Sequence, residues 1–410
     1  MTTLALEQRD TRLGAVTQIS GIIGFYFAFR LLAVVIAVRF FDADPQVGVG
    51  TSLMLNYFFL LLAGFVSFGP GTRRYSWFCS ITSFRWALAF IVFSGCSLFW
   101  TQSASLSAAI AFWVGMASDF VMVVLLLRIG SIEETVDTVM KGYVWGSCAI
   151  ALIAWLLPAQ SDLRLGDEDY LGANQIGYQC ALAFFFAQYL MRSGIRGMRI
   201  PAVLLAITMV RSLSKTTLIA FFIAQGFLII RDRSISAKAK LLIVCATSLV
   251  VATFWSLLAA YYDVYTNTGN QAETLTGRIG IWAFIFNEAL QQPWIGHGFH
   301  SVWKVIPPFG VFEARHAHNE LLQQFYAYGV IGIAIFVCLY SSVFREIRKM
   351  QTGAIRMLLF AILLFVSVRG AADTEVFDLS LPLWTIALIG STIAEQAKRE
   401  PVVPEPEVQV

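Results

Sequence analysis

Twelve apolar stretches follow one another along the 410 residues, most of them close to the length of a membrane-crossing helix. They fall near residues 19–41, 49–68, 84–100, 106–127, 142–158, 174–192, 200–212, 216–231, 240–262, 318–344, 354–370 and 379–396. A spanning helix needs roughly 20 apolar residues. A chain filled in this way is therefore expected to be an all-α, polytopic integral membrane protein of about twelve spans, one domain over residues 1–410, with no room for a soluble domain. Composition agrees: 58% of residues are hydrophobic, 13% are charged and the mean hydropathy is +0.70, which makes the bilayer the natural solvent.

Orientation follows from the basic residues. With the N-terminus cytoplasmic, the inside connections carry Arg9 and Arg12, then Arg73, Arg74 and Arg85, then Arg128 and Lys141, then Arg192, Arg196 and Arg199. The later inside segments add Arg231, Arg233, Lys238, Lys240, Arg345, Arg348, Lys349, Arg356, Lys398 and Arg399. The opposite connections keep only Arg164, Arg211, Lys215, Arg278, Lys304, Arg315 and Arg369. Both termini are thus expected inside, and omitting one span would invert every later loop. The N-terminal MTTLALEQRDTR is too polar for a removable signal peptide, so the first span is expected to act as the anchor. The net charge of +3 comes without any basic run interleaved with aromatics, which excludes nucleic acid as a partner.

One long connection, residues 263–317, is expected outside and carries TGRIGIWAFIFNEAL, where Ile279, Trp282, Ala283 and Phe286 recur at helical spacing. That pattern suits a helix lying at the membrane interface. The tail, residues 397–410, is Pro-rich and polar and is expected to be a disordered cytoplasmic segment. The six cysteines, Cys79, Cys96, Cys148, Cys180, Cys245 and Cys338, lack paired spacing and read as packing residues. Arg30 and Asp119 lie deep within the first and fourth spans, where charges need a partner or a wet cavity. A structural pair between them is the favoured reading, with a role in the acceptor or lipid path as the second.

The cations that break the positive-inside pattern fall in recognisable strings. LSKTTLIA holds Lys215, LTGRIGIW holds Arg278, WIGHGF follows, and EARHAHNELLQQF holds Arg315, His316 and His318. In these strings the chain resembles the bacterial O-antigen ligase and polymerase superfamily, membrane glycosyltransferases of the GT-C type that act on undecaprenyl-diphosphate glycans. The resemblance runs from about Gly172 to Gly332. The family's S-R string corresponds to Ser214 and Lys215, its T-G-R-x-x-x-W to Thr276–Trp282, its G-x-G-F to Gly296–Phe299 and its H-N-x-x-L to His318–Leu322. LGANQIG resembles the family's span entry at Asn174. Lys215 departs from the pattern, since it offers a point charge where Arg offers a fork; Arg211, one helical turn earlier, is a candidate to share its role.

The resemblance implies a metal-independent, inverting transfer without a cofactor, on the periplasmic face of a bacterial inner membrane. Its partners would be an undecaprenyl-diphosphate-linked glycan, an acceptor glycan on a lipid-linked repeat unit or lipid A core, membrane lipids and, as an open question, a chain-length regulator. Displacing a diphosphate develops negative charge on the leaving oxygen, which fixed cations stabilise. Arg278 and Lys215, with Arg211, Arg315, Asn319 and Asn174 as further donor or acceptor contacts, are the candidates. His318 would orient or deprotonate the acceptor hydroxyl. His316 and His318 are two residues apart and would not share a helix face, which argues against a metal pair. His297 and His300 read as loop hydrogen-bonders, and Glu320 as a solvated helix-start acid or a partner for Arg315 or the base. An O-antigen or exopolysaccharide polymerase is slightly favoured over a ligase. A lipid-linked glycan flippase is the alternative from another class, and it predicts midplane ionisable residues where this chain gathers its unusual cations on one face. A structural or signalling membrane protein leaves Lys215, Arg278 and His318 unexplained.

Overall fold

The computed structural model describes residues 3–67, 72–158, 160, 164–167, 169–232, 235–253, 275–303, 305–306, 315–375 and 378–399. Among these residues the regular elements are helical, and the one extended pairing is a bridge between Asp167 and Leu171. The helices are α1 (Thr3–Phe29), α2 (Leu32–Phe41), α3 (Pro45–Ser67), α4 (Tyr75–Phe78), α5 (Thr82–Cys96, extended by a 3₁₀ turn, Ser97–Phe99), α6 (Leu106–Leu127) and α7 (Ile132–Leu156). They continue as α8 (Ala173–Arg192), α9 (Arg199–Ser212), α10 (Lys215–Arg231), α11 (Ala237–Thr253), α12 (Leu275–Ala289), α13 (Glu320–Lys349), α14 (Ala354–Gly370) and α15 (Leu383–Arg399).

Each of the twelve apolar runs coincides with a helix or a helix pair. Five are long and apolar enough to cross a membrane: α3, α5 with its extension, α6, α7 and α13. The pair α1 and α2, bent by 67°, makes a sixth. The chain is therefore a multi-pass, all-helical membrane protein. The other six runs lie on helices that, as far as they are described, fall short in length or hydropathy. The shortest, α9, has 14 residues and rises only about 21 Å at 1.5 Å per residue. The ninth run is described as far as Thr253; the rest of it, residues 263–274, 304 and 307–314 of the long connection, and residues 400–410 of the tail lie outside the described residues.

Glycines set the closest helix crossing. A methyl group on Gly24 of α1 would strike the Val139 backbone of α7, and one on Gly142 or Gly146 of α7 would strike the Gly21 or Phe25 backbone of α1. Small residues let helices approach where lipid offers no hydrophobic drive to pack them. Arg30 stands at the break between α1 and α2, and its guanidinium reaches Asp119 of α6 at 2.5 Å. The structural pair expected between these two charges is present, and it keeps Asp119, only 2% exposed, from being an uncompensated buried charge. Of the cysteines, Cys148 and Cys180 are buried and Cys79, Cys96 and Cys245 exposed, all unbridged.

The WIGHGF turn has a structural task. Helix α13 is broken at Gly329, whose φ of +62° is a left-handed conformation that favours glycine. The turn's backbone fills the break: His297 and Gly298 N–H donate to the carbonyls of Tyr326 and Ala327 at 2.9 and 2.8 Å, while Val330 and Ile331 N–H donate to Pro293 and Trp294 at 2.8 and 3.2 Å. Backbone groups freed by a helix break at membrane depth must be satisfied by protein, and here the connection satisfies them. Helix α12 packs on α13 through Ile281, Ile285 and Ala289, which join Val302, Ile306, Ala317 and Tyr326 in a small core. Of the residues singled out by periodicity, Trp282 is half-buried and packs against this core, whereas Ile279, Ala283 and Phe286 are exposed. That leaves an apolar face directed away from the protein.

Candidate active site

The last turn of α14 and the residues that follow it, from Arg369 to Glu375, gather several of the expected catalytic residues. Arg278, in the first turn of α12, donates from Nη1 to the Ala372 carbonyl at 2.6 Å. Asn319 caps α13 by accepting from the Leu322 N–H at 3.0 Å, and its amide nitrogen donates to the Ala371 carbonyl at 2.9 Å. His318 Nδ1 lies 3.4 Å from Asp373 Oδ1. Gln323 donates to the Glu375 carbonyl at 2.7 Å and accepts from Ala317 N–H at 3.0 Å, so it ties the histidine segment to the same stretch. Arg369 anchors the stretch, pairing with Asp373 at 3.2 Å and Glu375 at 2.9 Å.

His318 is buried and holds a φ of +50°. Non-glycine residues in this conformation are uncommon and tend to mark sites where geometry matters more than local stability. The same is true of Leu213, at +56°, which turns the chain from α9 into α10 just before Lys215. Burial alone would raise the Asp373 carboxyl, but the Arg369 charge and the His318 hydrogen bond hold it well below the ordinary carboxylate range. Burial, followed by the neighbouring His318, holds His316 well below the imidazole range, with Arg369 and Arg278 adding to the effect. The cluster thus has an ionised acid behind one imidazole, a neutral second imidazole, and two guanidinium groups within electrostatic reach.

His316 and His318 precede α13 and do not lie on it, and their ring centres are 4.0 Å apart. Helical spacing, expected to separate them, therefore does not apply: the left-handed turn at His318 brings the rings together. With Asp373 they offer three donor atoms within 4.8 Å of one another, a spacing a metal ion would accept. Arg369 already neutralises the carboxylate of that set.

The remaining candidates lie around this centre. Lys215 is the exposed first residue of α10, and Arg211 is half-exposed one turn before it. Ser212 and Ser214 of that turn face Gly177 of α8, while the adjacent Tyr178 carries the Arg369 guanidinium over its ring at 4.2 Å. The Lys215 turn therefore sits at the same end of the helices as Arg369, although the bonds described for residues 369–375 do not include Lys215, Arg211 or Asn174. Asn174 is half-buried in the first turn of α8. Arg315 is exposed, stacks over Trp303 at 5.6 Å and donates to the Asp169 carbonyl at 3.4 Å.

Glu320 is neither solvated nor paired with Arg315. It is buried, accepting from Thr374 Oγ1 at 2.9 Å, from Ser380 N–H at 3.1 Å and from the Ser380 hydroxyl. It staples the start of α13 to the segment between α14 and α15, because a buried carboxylate persists only where donors converge on it. His297 and His300 are hydrogen-bonded, to the Tyr326 carbonyl at 3.2 Å and to Ser103 at 2.8 Å. His300 also lines a cavity of about 30 Å³ with Phe299, Trp303, Gln324, Tyr328 and Asp378. That is room for about two water molecules, and burial pushes the Asp378 carboxyl up to about 8.

Sequence reasoning does not single out Arg369, Asp373 and Glu375 as site residues. The available signal is that Arg369 is a basic residue on the sparsely basic face, with the two acids close behind it. The sequence pattern of the O-antigen ligase family matches residues 200–337, a stretch that holds Lys215, Arg278 and His318 and ends before Arg369. The chain is 24% identical over 326 residues to the exopolysaccharide production protein ExoQ of Rhizobium meliloti (strain 1021), covering 72% of this chain and 73% of that protein. It is 26% identical over 164 residues to the O-antigen ligase of Pseudomonas aeruginosa PAO1, covering 40% and 38%. Over residues 200–337, which carry Lys215, Arg278 and His318, the chain is thus similar to the O-antigen ligase family.

Proposed function

We propose that the chain transfers a glycan from undecaprenyl diphosphate to an acceptor sugar hydroxyl at the extracytoplasmic face of a bacterial inner membrane. The observation that carries this reading is the convergence of His318, Arg278 and Asn319 on the Arg369–Glu375 segment, with Asp373 directed at His318. In the step proposed, His318 takes the acceptor O–H proton as the hydroxyl oxygen attacks the anomeric carbon. The bond from that carbon to the diphosphate oxygen breaks, and undecaprenyl diphosphate leaves with the electron pair. Asp373 holds the imidazole in place and stabilises its charged form. Arg278 meets the developing negative charge, with Lys215 and Arg211 as further cations. A single displacement of this kind inverts the anomeric centre and asks nothing of a metal, so activity in excess chelator is the expected result.

A polymerase, which extends a lipid-linked repeat unit, is favoured over a ligase that transfers to lipid A core. The match to the exopolysaccharide production protein ExoQ extends over 72% of this chain and that to the O-antigen ligase over 40%, which supports an exopolysaccharide product over transfer to lipid A core. The twelve-span topology with both termini cytoplasmic belongs to the same proposal. The test uses purified protein in liposomes with a lipid-linked oligosaccharide repeat, following product length by gel for wild type and His318→Ala. A ladder lost in the variant supports polymerisation with His318 as the base. Transfer only after lipid A core is supplied makes the enzyme a ligase, and no transfer to any acceptor overturns the proposal in favour of a transporter.

A further inference from the structure

Arg369 is unusual among the cations of this face. Only 2% of its side chain is exposed, yet its guanidinium is incompletely used. Asp373 accepts a hydrogen bond from Nη2, and Glu375 Oε1 lies at ion-pair distance from the same nitrogen, while Nε, Nη1 and Glu375 Oε1 are buried without a hydrogen-bond partner among the described residues. The Nε of Arg278, which reaches the same segment, is in the same condition. A buried donor without an acceptor costs on the order of 1–3 kcal/mol, more when charged, so leaving several such N–H groups on two arginines that reach one short segment needs a reason.

The planar geometry of arginine supplies one. Nη2 lies between Nε and Nη1 in the fork, so an oxyanion that replaces one carboxylate on Nη2 gains a second bond from an N–H that now has none. Bidentate pairing with phosphate oxygens is the interaction this side chain makes best. Glu375 is the exchangeable partner: it is 25% exposed, whereas Asp373 is 2% exposed and also faces His318. The guanidinium carbon of Arg369 lies 4.2 Å from the centre of the Tyr178 ring, a cation–π contact that leaves the edge of the fork free for an anion.

We propose that Arg369 and Arg278 form a buried binding site for a diphosphate, in which Glu375 holds Arg369 until the anion displaces it. The proposal rests on the glycan-transfer reading for the identity of the anion as a lipid-borne diphosphate, but the site itself stands on the unused donors. It makes Arg369 the innermost contact of the leaving group, with the exposed Lys215 further out.

The test measures binding of inorganic pyrophosphate and of farnesyl diphosphate to the full chain in phosphatidylcholine nanodiscs. Both are expected to bind wild type, farnesyl diphosphate more tightly. Arg369→Lys, which keeps the charge and removes the fork, is expected to weaken both by about tenfold or more. Glu375→Gln, which removes the competing acid at a partly exposed position, is expected to tighten both several-fold, and it decides the matter should Arg369→Lys fail to fold. Unchanged Kd values in Glu375→Gln would overturn the site, because a purely structural ion pair predicts no gain. Displacement of farnesyl diphosphate by nanodiscs rich in phosphatidylglycerol would overturn the diphosphate assignment in favour of a phospholipid headgroup. Glycan transfer by wild type with unaltered pyrophosphate binding in both variants would leave the proposed reaction standing and remove this site. The expected binding changes in a protein that transfers no glycan would do the reverse.

Discussion

His318 adopts a left-handed backbone, Asp373 is an ionised acid with almost no exposure, and Arg369 is a buried cation with unused donors. Each is tolerated because the others compensate it, and each therefore has a distinct signature when changed. Asp373→Asn leaves the shape of the segment and removes the charge behind His318. It is expected to lower kcat by about 10²–10⁴-fold, the range for positioned acid–base catalysis, alongside any change in donor KM that comes from freeing Arg369. A change confined to KM would show that Asp373 serves binding and does not serve the base. Asp378 makes a different prediction. Its folded carboxyl titrates at about 8 because of burial, against an ordinary 3.8, so the folded state binds the proton more tightly than the unfolded chain does. The resulting stability is complete below about pH 4 and is lost as pH rises through 8. The Tm of wild type in detergent is expected to fall by several degrees between pH 6 and 9, and Asp378→Asn, which mimics the protonated form, is expected to flatten that fall.

Between elements, close approach of backbones decides what can be changed. Gly24 and Gly142 bring α1 and α7 so near that a methyl group on either meets main chain, whereas Gly14, also in α1, has open space where its methyl would stand. Gly24→Ala is expected to destabilise by at least the roughly 1–3 kcal/mol typical of overpacking, read as a lower Tm and a smaller folded fraction after extraction. Gly14→Ala is expected to be neutral or slightly stabilising through helix propensity. Equal behaviour of the two variants would mean that the α1–α7 contact does not limit stability. The broken helix α13 follows the same logic. Its backbone opens at Gly329 only because residues 293–298 provide carbonyls and N–H groups to close it. The WIGHGF string therefore contributes structure first, closing the break beside Ala327 and Gly329 and so holding the half-helix that begins just after His318.

Across the whole molecule, the distribution of charge and the distribution of chemistry coincide. The cations that violate the positive-inside pattern include Arg278, Lys215 and Arg369, which the fold collects at one end of the helices. In a variant without native cysteines, Asp44→Cys and Asp169→Cys, both at exposed positions, are expected to react with an impermeant maleimide from the outside of intact cells. Arg74→Cys and Arg196→Cys are expected to react only after permeabilisation, and the reverse pattern at any one of the four would refute the twelve-span topology. Read without its fold, the chain already announces its solvent and its helical class, and it draws attention to Arg278 and His318. Membrane burial writes itself as apolar runs of fixed length, and the functional strings are contiguous in the chain. Nothing in those strings reveals that Glu320 is buried, that Ile281 and Ile285 form the packed face of α12, or that Arg369, Asp373 and Glu375 surround the candidate base. Those features depend on contacts between distant segments, such as His318 with Asp373, 55 residues apart, and Arg278 with Ala372, 94 apart. Three-dimensional packing alone makes such contacts, since a charged side chain at a helix end looks the same in sequence whether it meets water or a partner.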